Sequence, residues 1–328
     1  MKKILITGGA GFIGSEVVRK FLEVNFEVIV YDDFSWGKRE FLPTHDGLTV
    51  IEGDINDTEL LKKIISAHSP NYICHLAAIH FIPYCNANPT KTLIVNTVGT
   101  ESVLDACKNK NIEKVFIASS AAVYPNSELP NIEDKTEVAP IDIYGLSKMF
   151  AELLAKKFFR ETHINTIVLR IFNAIGPRET NPHVIPHIFE SLKTSNCIPL
   201  GNITPKRDYI HTRDIAEAIY AICESDIGGY EVFNIGSGKE YSVEEIVTML
   251  GEILKRPLTI KQVRERMRKV ERMHLLADIS KIRNATGWEP KIQLHDALID
   301  IARYYGIIPD EEALKRRKSD TKGIYLQN

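Results

Sequence analysis

The chain has 328 residues, of which 44% are hydrophobic and 26% charged; these ordinary globular values exclude a disordered or fibrous protein. The 41 Lys and Arg nearly balance the 43 Asp and Glu, for a net charge of −2, which argues against a general nucleic-acid binder or a polybasic membrane surface. At roughly 150 residues per domain, the length predicts about two domains.

Strand-like and helix-like segments alternate from the start. Lys3–Thr7 reads as a strand, followed by a helix over Gly11–Val24 with apolar positions at Ile13, Val17, Val18, Phe21 and Leu22. Strands follow at Glu27–Tyr31 and Thr49–Glu52, a helix at Glu59–Ala67 and a strand at Tyr72–Leu76. A long helix is expected over Leu93–Asn109, then a strand at Lys114–Ser119, a helix from about Tyr144 to Thr162, and a strand at Thr166–Ile171. Strands separated by helices imply crossover connections, hence a doubly wound, mostly parallel α/β sheet of Rossmann type.

The pattern breaks after Phe172, where Pro177, Pro182, Pro186, Pro199 and Pro205 crowd a short stretch and predict loops with short elements. Amphipathic helices are expected at Ile215–Cys223, Val243–Leu254 and near Leu294–Tyr305, and a strand at Tyr230–Ile235. The division expected is a dinucleotide-binding domain over 1–172, with 213–238 returning to it. A smaller mixed α/β substrate domain takes 173–212 and 239–308, and a polar tail 309–328, with Lys315-Arg316-Arg317-Lys318, is solvated.

No apolar run approaches the ~20 residues of a bilayer span, and the first apolar stretch stops at Thr7-Gly8, too short for a signal sequence. The cysteines (Cys74, Cys85, Cys107, Cys197, Cys223) show no C-x-x-C spacing. Reduced thiols in a cytoplasmic protein are expected. The histidines form no H-E-x-x-H or Cys/His cluster, and no metal is assigned.

The first strand runs into Gly8-Gly9-Ala10-Gly11-Phe12-Ile13-Gly14 and then a helix. In that context the glycines permit a tight turn, let the backbone approach a pyrophosphate and allow close helix–strand packing. The helix N-terminus, with Phe12 and Ile13, then faces the anion. Asp32 ends the second strand, placed to accept the ribose hydroxyls of a dinucleotide, with Asp33 as the alternative. No Arg follows directly to receive a 2′-phosphate, so NAD is favoured over NADP.

Tyr144 and Lys148 are spaced i, i+4 and fall on one helix face. An ammonium near a phenol lowers its pKa toward neutrality, preparing it for proton transfer. A strand ending in Ser119-Ser120 lies upstream, at the ligand-binding edge of such a sheet. Ser120, Tyr144 and Lys148 are the candidate catalytic set.

With these residues together the sequence resembles the extended short-chain dehydrogenase/reductases of the nucleotide-sugar epimerase/dehydratase family. Further matching stretches are Gly53-Asp54-Ile55, His75-Leu76-Ala77-Ala78, Asn96-Thr97-Val98-Gly99-Thr100, Arg207-Asp208-Tyr209-Ile210-His211, Ala277-Asp278-Ile279-Ser280-Lys281 and Gly287-Trp288-Glu289-Pro290. The resemblance implies that Asp54 and Ile55 flank the adenine, Ala77 and Ala78 lie along the cofactor, and Asn96 belongs to the cofactor side. Lys148 would also hold the nicotinamide ribose, Ser120 would bind the reacting hydroxyl, and Asn173 and Arg207 would contact the nucleotide diphosphate. Among Arg264, Arg266, Arg268 and Arg272 it implies further phosphate ligands, with Arg266 and Arg268 the candidates carried forward. His80 and His183 are placed among the sugar contacts, with a second acid/base role as the alternative for His80 and a structural role for His183.

Family dehydratases carry Asp-Glu just after the serine, and the 3,5-epimerases carry a Cys there. Here the pair is Ala121-Ala122, and a methyl group cannot move a proton. The chemistry left to Tyr144, Lys148, Ser120 and NAD is C4 epimerisation of a nucleotide-activated hexose, a UDP-sugar being favoured. The alternatives are an NAD(P)H-dependent keto-sugar reductase and a catalytically silent nucleotide-binding scaffold. The resemblance also implies a homodimer formed by helices around Thr97–Asn109 and Gly145–Thr162, with Leu104, Phe150, Leu153, Leu154 and Phe158 as contacts shared with, or claimed by, the chain's own core.

Overall fold

The computed structural model describes residues 1–267 and 272–309. In chain order the elements are β1 (Lys3–Thr7), α1 (Gly14–Glu23), β2 (Glu27–Asp32), β3 (Leu48–Glu52), α2 (Thr58–His68) and β4 (Tyr72–His75). Next come α3 (Ile82–Ala87), α4 (Pro89–Leu93), a π-helical turn (Ile94–Val98), α5 (Gly99–Cys107), β5 (Lys114–Ser120), α6 (Ile143–Thr162), β6 (Asn165–Ile171) and β7 (Asn173–Ile175). They are followed by α7 (Val184–Leu192), β8 (Cys197–Leu200), β9 (Lys206–His211), α8 (Thr212–Glu224), β10 (Tyr230–Ile235) and β11 (Glu240–Ser242). The last are α9 (Val243–Leu254), β12 (Thr259–Gln262), α10 (Ser280–Thr286) and α11 (Leu294–Tyr304).

Seven strands form one parallel sheet in the order β10-β6-β5-β4-β1-β2-β3. The order reverses between β1 and β4, which opens a crevice beyond their carboxyl ends. Both faces are covered. One buried cluster joins Ile4, Ile6, Val28 and Val30 to Val17, Phe21, Ile215 and Ile219 of α1 and α8. Another joins Leu5, Ile29, Ile73, Val115 and Ile117 to Leu61, Val103, Leu104, Ala151 and Phe158 of α2, α5 and α6. This two-sided burial is why β1 and β5 read as continuous apolar runs rather than alternating ones. Strand β10 lies beside β6 in this sheet. A third cluster, with Ile185, Phe189, Ile246, Leu250, Leu298 and Ile301, sits apart from the sheet between α7, α9 and α11.

Several elements differ from the sequence reading. The proline-rich stretch after Phe172 contains the helix α7, because Pro186 lies in its first turn, where no amide donor is lost. Between β4 and the expected long helix lies the additional short helix α3, with Pro83 in its first turn. The single helix expected over Leu93–Asn109 is divided by the π-turn at Ile94–Val98. Leu104 and Phe158 belong to the chain's own core, whereas Phe150 and Leu153 are exposed. All five cysteines are free, and only Cys197 is exposed. Among the described residues no helix is long and apolar enough to cross a membrane. Arg268 and the tail beyond Pro309, including Lys315-Arg316-Arg317-Lys318, lie outside the described residues.

Candidate active site

A cavity of about 900 Å³ opens at the crevice between β1 and β4 and extends toward α7 and β9. One end is built from the glycine turn. Gly8 has φ +70°, and a Cβ there would lie 2.7 Å from the amide nitrogen of Ala77. At Gly14 a Cβ would lie 2.1 Å from the Gly8 carbonyl oxygen, so only glycine lets α1 begin this close to the end of β1. Gly11, Phe12, Ile13 and Gly14 therefore present the start of α1 to the cavity, a cradle suited to a pyrophosphate.

Asp32 and Asp33 line the same end, with Asp54 and Ile55, and Ala77 and Ala78 form the floor after β4. Asp32 is mostly buried; its two carboxylate oxygens accept the backbone N–H groups of Ala10 and Phe34, each at 2.9 Å. Burial raises its pKa, and these two donors oppose the shift. Asp33 accepts from the N–H and hydroxyl of Ser35 at 2.9 and 2.7 Å. A narrow, glycine-walled cradle ending in carboxylates fits a dinucleotide with a free ribose diol.

Asn96 is placed differently from the expectation. It is fully buried and does not line the cavity. Its Oδ1 accepts the Ile79 N–H and its Nδ2 donates to the Ile79 carbonyl, both at 2.8 Å, and Nδ2 also donates to Ser147 Oγ at 3.0 Å. The side chain fixes the wall from behind.

Ser120, Tyr144 and Lys148 meet in the middle of the cavity. Asp142 caps α6, its Oδ1 accepting the Gly145 N–H at 2.8 Å, and thereby sets the first turn, which carries the tyrosine. Ser120 ends β5, and its hydroxyl accepts the Ala122 N–H at 3.1 Å. Burial pushes the Tyr144 phenol well above its ordinary value, while its hydrogen bond with Ser120 lowers it. Burial pushes Lys148 down to about 8. Its ammonium donates to the Ala118 carbonyl at 2.8 Å and stands 6.0 Å from the Tyr144 ring centre. The lowering of the phenol expected from Lys148 does not appear: burial raises it, and the group that lowers it is Ser120.

The other end holds Asn173, Arg207 and Arg266. Asn173 is held by the pairing of β7 with Tyr209 on β9. Arg207 donates to the Arg272 carbonyl at 2.7 Å. Arg266 Nη1 is 2.8 Å from His187 Nε2. Arg272 is buried and donates to the Tyr124 and Ala122 carbonyls at 3.0 and 2.8 Å; it clamps the turn after Ser120. Arg264 does not line the cavity.

His80 and His183 also line the wall, their rings stacked with centres 5.5 Å apart. Beside them lies Glu179, which the sequence reading missed, its Oε1 3.8 Å from His80 Nε2. No periodic pattern surrounds it, and only the tertiary fold brings it to His80. Burial raises its carboxyl, but the two imidazoles outweigh this and leave it below the usual range. Arg178, at φ +72°, ties this segment to Glu16 of α1. The sequence reading assigned no metal, yet His80, Glu179 and His183 place three ligand atoms within 4.8 Å of one another.

The family model described as GDP-mannose 4,6 dehydratase matches residues 5–301. The chain belongs to this family of extended short-chain dehydrogenase/reductases acting on nucleotide sugars. It is 30% identical to a UDP-glucose 4-epimerase of Azospirillum brasilense, covering 92% of this chain and 90% of the relative. It is 31% identical to a GDP-6-deoxy-D-talose 4-dehydrogenase of Aggregatibacter actinomycetemcomitans, covering 87% and 91%. Among solved structures, the UDP-glucuronic acid 4-epimerase of Bacillus cereus, in complex with UDP-glucuronic acid and NAD, superposes with a TM-score of 0.86 at 26% identity, covering 93% and 99%.

Proposed function

We propose that the chain is an NAD-dependent nucleotide-sugar epimerase that inverts C4 of a nucleotide-activated hexose, a UDP-hexose, through a transient 4-keto sugar. The observation that carries this reading is the meeting of Ser120, Tyr144 and Lys148 in one cavity with the glycine cradle and Asp32, while Ala121 and Ala122 occupy the turn beyond Ser120. Methyl groups there supply no base for removing a proton from C5, so the dehydratase chemistry in the family model's description is not carried over. The 4-epimerase relatives support the choice that remains.

In this reading Gly8, Gly11 and the start of α1 hold the pyrophosphate, Asp32 the adenosine ribose, and Lys148 the nicotinamide ribose. When bound, the cofactor would supply reversible hydride acceptance at C4. Ser120 orients the C4 hydroxyl, and Tyr144 Oη takes its proton and gives it back after the keto sugar has turned over. Arg207, Asn173 and Arg266 hold the diphosphate by charge-assisted hydrogen bonds. Lys148, charged below about pH 8, stabilises the phenolate as it forms.

A second reading, a keto-sugar reductase, is favoured by the similarity to the GDP-6-deoxy-D-talose 4-dehydrogenase. Proton NMR of the purified enzyme with UDP-, GDP-, CDP- and dTDP-hexoses, without added cofactor, separates the two. Interconversion of C4 epimers with no lasting keto product is expected. Turnover only on supplying NAD(P)H and a 4-keto sugar would replace the epimerase by the reductase, and a stable 4-keto-6-deoxy product would overturn the argument from Ala121 and Ala122.

The same reading includes a cytoplasmic homodimer. Ile94 and Val98 on the π-turn and Phe150 and Leu153 on α6 are 45%, 52%, 36% and 56% exposed. This apolar face on neighbouring helices suits a second copy of the chain.

A further inference from the structure

We propose that His80, Glu179 and His183 form a binding site for a divalent transition-metal ion of the zinc class in the wall of the cavity. They make up the one group of three such ligands found among the described residues. Two imidazoles and a carboxylate are a donor set for Zn²⁺, Co²⁺ or Ni²⁺ rather than for Mg²⁺ or Ca²⁺, which prefer oxygen alone.

The spacing suits a small ion. Ligands at ~2.0–2.2 Å around a tetrahedral centre stand roughly 3.3 Å apart, and His80 Nε2 lies 3.8 Å from Glu179 Oε1. The three atoms fall within 4.8 Å of one another, so side-chain rotations on the order of an ångström close the set. The rings of His80 and His183 are already near parallel, at 17°, and Phe81 packs edge-on against His183.

The surroundings support the ligands. Asn181, only 2% exposed, donates its backbone N–H to Glu179 Oε1 at 2.9 Å, and its Nδ2 lies 3.1 Å from His80 Nε2. Outer partners of this kind fix ligand orientation. The Asn181 Nδ2 also donates to Glu179 Oε1 at 3.4 Å, so it keeps its hold on the carboxylate when an ion takes the His80 lone pair. Glu179 is a carboxylate with an 8% exposed side chain. The nearby Arg178 guanidinium is engaged by Glu16, so the groups facing this buried carboxylate are His80 and His183, and an ion held by their lone pairs pairs with it directly.

Three protein ligands leave the ion's remaining positions facing the cavity that also holds Ser120 and Tyr144. An oxygen of the bound sugar nucleotide completes the coordination; this clause alone rests on the function proposed above.

The test uses the untagged full chain, stripped with chelator and dialysed, and titrated with Co²⁺ followed by its visible absorption and with Zn²⁺ against a chromophoric chelator. One ion per chain is expected. Glu179→Gln and His183→Ala should each abolish uptake, and Asn181→Ala should weaken it by about 10–100-fold. The melting temperature of each variant reports its fold, and three variants keep the test alive if one fails to fold. No uptake by the parent chain, or uptake unchanged in the folded ligand variants, overturns the proposal. Because uptake is read without substrate, C4 epimerisation by a chain that takes up no ion would remove the metal site and leave the epimerase reading standing.

Discussion

The carboxamide of Asn96 grips both the N–H and the carbonyl of Ile79, each at 2.8 Å, from a fully buried position behind the cavity wall. Ile79 immediately precedes His80, so this pair of hydrogen bonds sets where the chain leaves the end of β4. Asn96 sits within the π-turn at Ile94–Val98. Replacing Asn96 by Leu leaves two backbone groups unsatisfied and should destabilise the fold by about 2–4 kcal/mol. Chemical denaturation measures this, and a loss under half a kilocalorie would contradict the role.

Tyr144→Phe removes the phenol beside Ser120 and Lys148 and keeps its ring. Activity should fall by about 10²–10⁴-fold, the usual worth of a positioned acid–base group, with bound NAD retained. Near-normal turnover in the NMR assay would exclude Tyr144 as the proton carrier.

Gly14→Ala tests the cradle. The added methyl would lie 2.1 Å from the Gly8 carbonyl oxygen and 2.8 Å from the Gly9 Cα, both backbone atoms that cannot swing away. The start of α1 must shift, costing at least about 1–3 kcal/mol and widening the pyrophosphate site. Dinucleotide affinity by calorimetry and the melting temperature should fall together. Affinity preserved beside a lowered melting temperature would separate the cradle from the cofactor.

How much was legible in the sequence follows from what each signal depends on. Gly8 to Gly14, Asp32 and Tyr144 with Lys148 announce themselves because backbone geometry and helix spacing are local properties. The strands of the central sheet are equally plain, since burial on both faces leaves continuous apolar runs such as Lys3–Thr7 and Lys114–Ser120. Glu179 gave no signal: its meaning arises from contact with His80, about a hundred positions away in the chain, and no periodicity encodes such a contact. The helix α7 was hidden because prolines in first turns look like breakers. Arg272 read as one member of a basic run, whereas the fold spends its guanidinium on the carbonyls of Ala122 and Tyr124.

Leu153→Arg tests the exposed apolar face. Leu153 is 56% exposed on α6, so a charge there costs the single chain little but repels a second copy. Sedimentation should show a dimer for the parent chain and a monomer for the variant. A parent chain that sediments as a monomer would remove the dimer from the proposed function.

His75 ties a pH dependence to the core. Thr100 Oγ1 donates to the Asn96 carbonyl at 2.7 Å, so it accepts from His75 Nε2, 3.0 Å away. His75 Nδ1 is then the acceptor for the Thr7 hydroxyl at 2.7 Å. The imidazole is neutral in this arrangement, and burial drives its pKa from 6.5 down to about 3. Between those values the unfolded chain holds one more proton than the folded one, so stability rises with pH and levels off above about 6.5. Lowering the pH from 7 to 5 should therefore cost about 2 kcal/mol through this residue. His75→Gln, whose amide can both accept from Thr7 and donate to Thr100 without titrating, should lose that share. Urea unfolding of both proteins at the two pH values measures the difference, and identical pH dependence would show that His75 is not held neutral by the fold.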